Sequence, residues 1–271
     1  MKEKTSLKNK AICGIFWSAV ERFLSQGIQF VVTVIMARFL LPSDYGMVGM
    51  LAIVLQLSQT LMDSGFTNAL IRYKERTEID YSTVFFFNIL ASLVIYFLIF
   101  FLAPYISWFY KIGQLVEITR ILSIVIVLNS FAIIPKTKLI IAVDFKTQSK
   151  VSFIAALVSG IIGIWAAYLD FGVWALVGQT LVNGLLIVVL YAYFCRWKPL
   201  WIFSLKSFRL LFAFGSKLVL ANILNTLYKN LYAIVIGKKF SSVDLGFYTR
   251  AEQFAQFPSY NLSAITLLAA S

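Results

Sequence analysis

The sequence predicts an all-α, polytopic transmembrane helical bundle, and three observations support this fold class. The 271 residues are 60% hydrophobic and only 13% charged, with a mean hydropathy of +0.84. The apolar residues occur in long blocks, and the stretch 84–103 contains no charged residue. A soluble domain needs more polar surface, and a membrane β-barrel would show short segments of alternating hydrophobicity. The chain is therefore expected to cross a bilayer several times as helices.

Seven apolar stretches are long enough to span a bilayer, and an eighth is weaker. They cover residues 12–36, 45–62, 83–103, 117–134, 151–169, 173–194, 209–236 and, as the weaker one, 253–270. The first is too long for the core of a signal peptide, so we expect it to remain as a transmembrane helix. A proline at a helix end breaks no interior hydrogen bond. Four prolines are expected in such positions: Pro42, Pro104, Pro135 and Pro199.

The distribution of the net charge of +12 predicts the orientation of the helices. With a cytoplasmic N-terminus, fifteen of the 24 Lys and Arg residues fall in cytoplasmic loops. Three more lie within predicted spans: Arg22, Lys217 and Lys229. Six fall on the opposite side: Arg38, Lys111, Arg120, Lys238, Lys239 and Arg250. This bias follows the positive-inside rule, and no aromatic and basic nucleic-acid module accompanies it, so we expect no nucleic-acid partner.

Polar residues lie on one face of the first predicted helix. Ser18, Arg22, Ser25 and Gln29 are spaced i, i+4, i+7 and i+11, which places them on one helical face. Arg22 lies about 15 Å along the helix from the start of the span, so its guanidinium cannot easily reach the interface. Because ionisable residues at that depth usually face a wet cavity or a partner, we expect this face to line a polar path. A structural ion pair is the alternative for Arg22.

The same pattern recurs 200 residues later. The segment 37–46 aligns with the segment 237–246, and each contains an aspartate and a glycine two residues apart. We expect Asp44 and Asp244 to act as turn and capping residues. The polar face also aligns with the seventh span. The aligned positions are Arg22, Ser25, Gln26 and Gln29 over Asn222, Asn225, Thr226 and Lys229.

This repeat predicts two lobes. Six spans separate the copies, and an even number preserves orientation, so the halves are related by an axis along the membrane normal. We expect one complete six-helix N-terminal lobe at residues 1–196. Residues 197–271 are expected to form the first helices of a second, pseudo-symmetric C-terminal lobe, which is truncated.

Composition excludes several kinds of site. The chain has no histidine, so an imidazole proton relay and a His-ligated metal site are ruled out. Cys13 and Cys195 lie near the predicted cytoplasmic ends of their spans, where the environment is reducing and a disulfide is not expected. The 12 acidic residues form no paired-carboxylate motif, and no loop is long enough for a catalytic domain. We therefore expect no enzyme activity, no metal and no cofactor.

Five short motifs resemble those of a known family. They are FWS at 16–18, ARFLLPSDYG at 37–46, DSGFTNALI at 63–71, AVDFK at 142–146 and FGVWALV at 171–177. Their order and spacing resemble the polysaccharide transporter branch of the multidrug/oligosaccharidyl-lipid/polysaccharide exporter (MOP) superfamily. This branch includes flippases for O-antigen and other lipid-linked oligosaccharides. The resemblance implies a MATE-like fold of two six-helix lobes.

The resemblance also implies a function. A protein of this family is expected to translocate an undecaprenyl-diphosphate-linked oligosaccharide across the bacterial inner membrane for polysaccharide or lipopolysaccharide biosynthesis. Rocking of the two lobes would expose a central cavity to each leaflet in turn. The expected partners are the lipid-linked oligosaccharide diphosphate, membrane lipid and other membrane proteins of polysaccharide assembly.

The polar faces supply candidate substrate-binding residues for such a head group. Arg22 and Lys229 are suited to hold the diphosphate by charge-assisted hydrogen bonds. Glu21 is a candidate for proton coupling, with neutralisation of another helix as its alternative. The candidates for hydrogen bonds to sugar hydroxyls are Ser18, Ser25, Gln26, Gln29, Asn222, Asn225 and Thr226. Polar residues that only join neighbouring helices are the alternative for all of them.

Two other functions stay open. A multidrug antiporter of the same superfamily would export organic cations, but its site would need buried carboxylates or aromatic cages. The cations in these spans favour an anionic cargo instead. A fragment that inserts into the membrane without transporting anything is the second alternative, because the second lobe is truncated.

Overall fold

A computed structural model of the protein describes residues 27–63, 66–73 and 75–269. Within these ranges the chain forms ten α-helices. Their bounds are α1 Gly27–Met36, α2 Pro42–Asp63, α3 Phe66–Arg72, α4 Glu78–Tyr110, α5 Leu115–Leu122, α6 Ile124–Ile141, α7 Phe145–Tyr168, α8 Val173–Cys195, α9 Leu205–Lys239 and α10 Ser242–Ala269.

Six segments in the described part of the chain are long and apolar enough to cross a membrane. They are Pro42–Arg72, Glu78–Tyr110, Leu115–Ile141, Phe145–Tyr168, Val173–Cys195 and Val219–Lys239. The prediction of an all-α, polytopic helical bundle is therefore confirmed. The helix α10 is absent from this set, in agreement with the weaker hydropathy of the stretch 253–270.

The fourth predicted span forms two helices instead of one. The break between α5 and α6 lies at Ser123, whose hydroxyl donates to the carbonyl of Arg120 over 2.9 Å. Serine competes for backbone hydrogen bonds in this way and bends helices. The short helix α3 was not predicted, because its seven residues carry too little periodicity to stand out from the turn before it.

Two prolines expected at helix ends lie inside helices, so this expectation was wrong for Pro104 and Pro135. A proline in a helix leaves the carbonyl four residues earlier without its usual donor. For Pro104 that carbonyl belongs to Phe100, and Arg120 Nε donates to it over 3.5 Å. The Arg120 guanidinium also lies 4.2 Å from the centroid of the Phe100 ring. A neighbouring helix thus replaces the lost donor, which is how transmembrane helices tolerate proline.

Small residues allow helices α1, α4, α6 and α7 to pack closely. Gly160 of α7 lies against Val32 of α1, so that a Cβ at this glycine would meet the valine side chain. Between α4 and α6, the buried hydroxyls of Ser92 and Ser130 form a hydrogen bond of 3.2 Å. Small residues and interhelical hydrogen bonds are the usual means by which helices associate in lipid.

The linker between α8 and α9, residues 196–204, is fixed to the start of α4. The backbone N–H of Leu200 donates to Ser82 Oγ over 2.9 Å, and that of Ser204 donates to Thr83 Oγ1 over 3.1 Å. Both hydroxyl-bearing side chains are fully buried. Backbone donors of an irregular segment need partners wherever water is excluded. The two hydroxyls satisfy this need and hold the linker in place.

Charged and aromatic groups strengthen the same attachment. The Lys138 ammonium lies 2.7 Å from Glu78 Oε1, and the Trp197 indole N–H donates to Glu78 Oε2 over 2.8 Å. The Trp197 ring packs edge-on against Phe85. We call this end of the bundle the linker end, and the opposite end, where α2 and α10 begin, the Pro42 end.

Candidate functional site

Gly46 and Gly246 lie where α2 and α10 cross at the Pro42 end. A Cβ at Gly46 would overlap the backbone carbonyl of Ser242, and a Cβ at Gly246 would overlap the backbone carbonyl of Pro42. Pro42 and Ser242 are themselves 200 positions apart, so each contact is the repeat-related copy of the other. Only glycine lets two backbones approach this closely. We call this contact the glycine crossing.

The two aspartates of the repeat cap the two helices. Asp44 Oδ2 accepts a hydrogen bond of 3.0 Å from the backbone N–H of Leu41, and Asp244 Oδ2 accepts one of 3.1 Å from Ser241. A carboxylate at a helix start also interacts favourably with the helix dipole. The interpretation of Asp44 and Asp244 as turn and capping residues is confirmed.

A polar cavity of about 470 Å³ lies beside the glycine crossing, between α2, α9 and α10. We call it the crossing cavity. Its polar lining consists of Tyr45, Gln56, Lys229, Asn230, Thr249, Arg250, Glu252 and Gln253. Two cations and one acid stand in this lining. The volume falls in the range of about 300–1,000 Å³ that is typical of small-ligand sites.

A second polar cavity, of about 320 Å³, lies between α1, α2, α7, α8 and α10. We call it the α8 cavity. Its polar lining consists of Gln29, Thr33, Ser159, Gln179, Thr180, Asn183, Arg250 and Gln253. Val48, Arg250 and Gln253 line both cavities. The two cavities therefore form adjoining parts of one polar region, with Arg250 at their junction.

Arg250 is held by contacts on two sides. Its Cζ atom lies 3.6 Å from the centroid of the Tyr45 ring, and its Nη1 donates to Gln253 Oε1 over 2.7 Å. Arg250 Nε and the Tyr45 hydroxyl are buried, and neither has a hydrogen-bond partner among the described residues. A buried donor without an acceptor is costly and uncommon in native proteins.

The expectation that Arg250 lies in a loop was wrong. The residue lies in α10, eight residues from its start, or about 12 Å along the helix. A signal for this position exists in the sequence. Gly246, Thr249, Arg250 and Gln253 are spaced i, i+3, i+4 and i+7, which is one helical face.

Lys229 lines the crossing cavity from α9. It lies in the middle of the apolar segment Val219–Lys239. A lysine so far from both ends of an apolar helix is costly in a bilayer unless it faces water or a partner. The crossing cavity supplies the polar surroundings that this position requires.

The remaining predicted residues fall into three groups. Gln29 lines the α8 cavity. Asn222 and Asn225 lie outside the linings of both cavities, as does Thr226, whose hydroxyl lies 3.1 Å from that of Thr60 in α2. Five candidates lie outside the described residues: Ser18, Glu21, Arg22, Ser25 and Gln26.

Part of the polar face of α9 joins helices. Next to the Thr60–Thr226 pair, Asn230 Nδ2 donates to Gln56 Oε1 over 2.8 Å. Thr226 also donates to the carbonyl of Asn222 over 2.8 Å. For Thr226 the helix-joining alternative therefore describes the contacts that it makes. Lys229 is on the same helix but faces the cavity.

Several polar residues of the α8 cavity were not anticipated. Gln179 and Asn183 are one helical turn apart on α8, and Ser159 on α7 lies 3.5 Å from Asn183 Oδ1. The one-turn spacing of two amides in an apolar helix was available in the sequence. It was overlooked because no charged residue accompanies it.

Both cavities are lined by neutral polar groups and cations, with Glu252 the single acid among the described residues. In the described parts of the chain, no group of three or more His, Cys, Asp or Glu side chains is placed to hold a metal ion. The linings supply amide and hydroxyl groups for hydrogen bonds, and two cations against one acid. Such a set is suited to a polar ligand that carries negative charge.

Comparison with known proteins identifies the family to which the chain is similar. The profile of the family described as "Polysaccharide biosynthesis protein" matches residues 35–268. The teichuronic acid biosynthesis protein TuaB of Bacillus subtilis is 26% identical over 262 residues, covering 96% of this chain and 54% of TuaB. The succinoglycan biosynthesis transport protein ExoT of Rhizobium meliloti is 26% identical over 244 residues, covering 90% and 49%.

A third relative has the same extent of similarity. The lipopolysaccharide biosynthesis protein WzxC of Escherichia coli is 26% identical over 268 residues, covering 96% of this chain and 53% of WzxC. The chain thus spans about half the length of the curated relatives it matches. The name of ExoT states transport, and none of the three names states an enzymatic reaction. No solved structure matches the chain.

Proposed function

Because the chain belongs to the family of polysaccharide biosynthesis proteins, we propose that it is a flippase for a lipid-linked oligosaccharide. The substrate would be an undecaprenyl-diphosphate-linked glycan, which crosses the bacterial inner membrane by alternating access of two lobes. The N-terminus would lie in the cytoplasm, as the distribution of Lys and Arg favours. No catalytic step on the substrate is part of this proposal.

The observation that carries the proposal is the pair of cations in the polar region at the glycine crossing. Lys229, in the middle of the apolar segment Val219–Lys239, and Arg250 of α10 line one cavity. Cations at such depth need an anion or water, and a diphosphate supplies anionic oxygens that accept charge-assisted hydrogen bonds. The amides and hydroxyls of the α8 cavity are of the kind that bind sugar hydroxyls.

The size of the cavities indicates which part of the substrate they would hold. Cavities of about 470 and 320 Å³ hold a diphosphate and one or two sugars more readily than a complete oligosaccharide. The polyprenyl chain would stay in lipid, because burying it in a polar cavity gains nothing. Separation of the lobes would then admit the rest of the glycan.

The described contacts are compatible with rocking about the linker. At the Pro42 end α2 and α10 meet at the glycine crossing, and at the linker end residues 196–204 are fixed to α4. In our proposal the glycine crossing opens and closes while the linker stays in place. Arg22, Ser18, Ser25, Gln26 and Glu21 remain candidates on the sequence argument alone.

The proposal is tested by transport in liposomes. The purified chain is reconstituted with a fluorescent undecaprenyl-diphosphate-linked oligosaccharide, and dithionite is added outside to quench the outer leaflet. A flippase makes the protected half of the fluorescence accessible within minutes. We expect Arg250→Gln and Lys229→Gln each to slow this phase at least about tenfold, since each removes a charged hydrogen bond to the head group.

Matched controls separate the cavity from general damage. Arg38→Gln removes an exposed arginine that lies outside both linings, and Lys239→Gln removes an exposed lysine of the same helix as Lys229. Both should transport at the wild-type rate. If the folded wild-type chain is no faster than empty liposomes, the flippase proposal fails for this chain. Transport of organic cations instead would favour the multidrug antiporter.

A further inference from the structure

The side chain of Tyr45 is a rigid platform against which Arg250 rests. Tyr45 is only 5% exposed, and its ring packs in a cluster with Val32, Met36 and Leu40. The Arg250 guanidinium lies 3.6 Å from the ring centroid, which is a close cation–π contact. Because Tyr45 is on α2 and Arg250 on α10, the contact joins the two helices of the glycine crossing.

The guanidinium has one edge engaged, and Nε of its other edge has no acceptor in the described part of the chain. Nη1 donates to Gln253 Oε1 over 2.7 Å, which fixes its rotation about the ring. Nε is buried and has no acceptor among the described residues. Nε and Nη2 form the second edge of the planar fork, and this edge matches two oxygens of a phosphate or carboxylate.

The Tyr45 hydroxyl adds a further donor at the same place. It is also buried without a partner in the described part of the protein. A phenol oxygen lies one bond outside its ring, and the ring is in contact with the guanidinium. One tetrahedral phosphate group, with its several acceptor oxygens, is therefore able to accept from both side chains.

We infer that Tyr45 is a positioning residue that orients Arg250 so that Arg250 Nε and the Tyr45 hydroxyl bind one phosphate group of a diphosphate. This inference rests on the proposed function, and it names the subsite for the anionic part of the substrate. Lys229 supplies the second positive charge in the crossing cavity, and Glu252 is the acid in the same lining. The Tyr45 ring holds the Arg250 guanidinium in place. The Tyr45 hydroxyl donates a hydrogen bond and so favours a ligand with acceptor oxygens.

Binding to the purified full chain in detergent tests this subsite. The probes are inorganic pyrophosphate and farnesyl diphosphate, each measured by thermophoresis, with the melting temperature of every variant recorded in parallel. Tyr45→Phe keeps the ring and removes one donor to a charged ligand, so affinity should fall about tenfold at an unchanged melting temperature. Tyr45→Leu also removes the platform and should bind more weakly than Tyr45→Phe.

The outcomes distinguish this inference from the flippase proposal. If Tyr45→Phe and Tyr45→Leu bind like wild type while Arg250→Gln does not bind, Tyr45 has no positioning role and the cationic site stands. If Tyr45→Leu melts lower but binds normally, its contact is only structural. If the wild type binds neither probe, the subsite is wrong, and transport in liposomes decides the flippase proposal separately. Tighter binding of farnesyl diphosphate than of pyrophosphate would support a lipid-linked diphosphate as the ligand. Tighter binding of pyrophosphate would contradict it.

Discussion

The helix pairs α1–α2 and α9–α10 share a sequence pattern but have different surroundings. Val32 and Leu40 of the first pair are 7% and 6% exposed, because Ala167, Ala175 and Leu176 of α7 and α8 pack on them. Their counterparts 200 residues later are Tyr232 and Phe240. These side chains are 68% and 66% exposed in the described structure.

The face between the two pairs is equivalent in both. The glycines of the crossing approach the opposite backbone in the same way, and each helix start is capped by its aspartate. The repeat therefore preserves the inner contacts and leaves the outer face free to differ. Residues at the inner contact are constrained by geometry, since backbone meets backbone. Residues at the outer face depend on what packs there.

The largest expected effect comes from adding a methyl group at the glycine crossing. Gly46→Ala and Gly246→Ala would each place a Cβ on a backbone carbonyl of the opposite helix. We expect each to destabilise the chain by about 3 kcal/mol, because overpacking against backbone is not relieved by a rotamer change. The measurement is the thermal transition of the purified protein in detergent.

A control for this prediction is Gly178→Ala in α8, where an added Cβ would meet nothing within 4 Å. This change should be neutral or stabilise slightly, because alanine is the better helix former. Equal effects at Gly46 and Gly246 would support the pseudo-symmetry of the crossing. If Gly46→Ala or Gly246→Ala is as neutral as Gly178→Ala, α2 and α10 do not cross at these glycines.

The difference in burial between Leu40 and Phe240 predicts unequal losses of stability when each is replaced by alanine. Leu40→Ala removes a buried side chain and should cost about 3 kcal/mol. Phe240→Ala acts on an exposed side chain and should stay within about 0.5 kcal/mol. Both are read from the same thermal transitions. Equal costs would mean that Phe240, just after the end of α9, is covered in the working protein.

The sequence predicted the fold class because long apolar blocks and loop charges are sufficient to identify membrane helices. It also predicted the aligned Asp and Gly positions, since a backbone constraint restricts which residue is tolerated. The prediction that Pro104 lies at a helix end was wrong. Arg120, which donates in place of the hydrogen bond lost at this proline, lies elsewhere in the sequence. No local pattern contains that information.

The candidate site was predicted only in part. Lys229 and Gln29 were chosen from helical periodicity, and both line the cavities. Arg250 was assigned to a loop because its stretch is too polar to read as a membrane span. The role of Tyr45 follows from its contact with Arg250, 205 positions away, which periodicity within one helix cannot give.

A smaller loss of stability than at Gly46, Gly246 or Leu40 is expected at the two capping aspartates. Asp44 is buried at the start of α2, so Asp44→Ala should cost about 1 kcal/mol, as for a typical helix cap. Asp244→Ala should cost less, because this carboxylate is exposed to solvent. Hydrogen bonds from the Ser241 hydroxyl and backbone N–H lower the pKa of Asp244 below its ordinary value.

A carboxyl group whose pKa is lower in the folded state stabilises the fold above the pKa of the unfolded chain, about 3.9. That contribution is lost as the pH falls through the lowered folded pKa. The melting temperatures of wild type and Asp244→Ala should therefore differ at pH 7 and converge in acid. A gap that persists unchanged at pH values below the folded pKa would show that the carboxylate charge is not what stabilises this turn, and that the two caps of the repeat act differently.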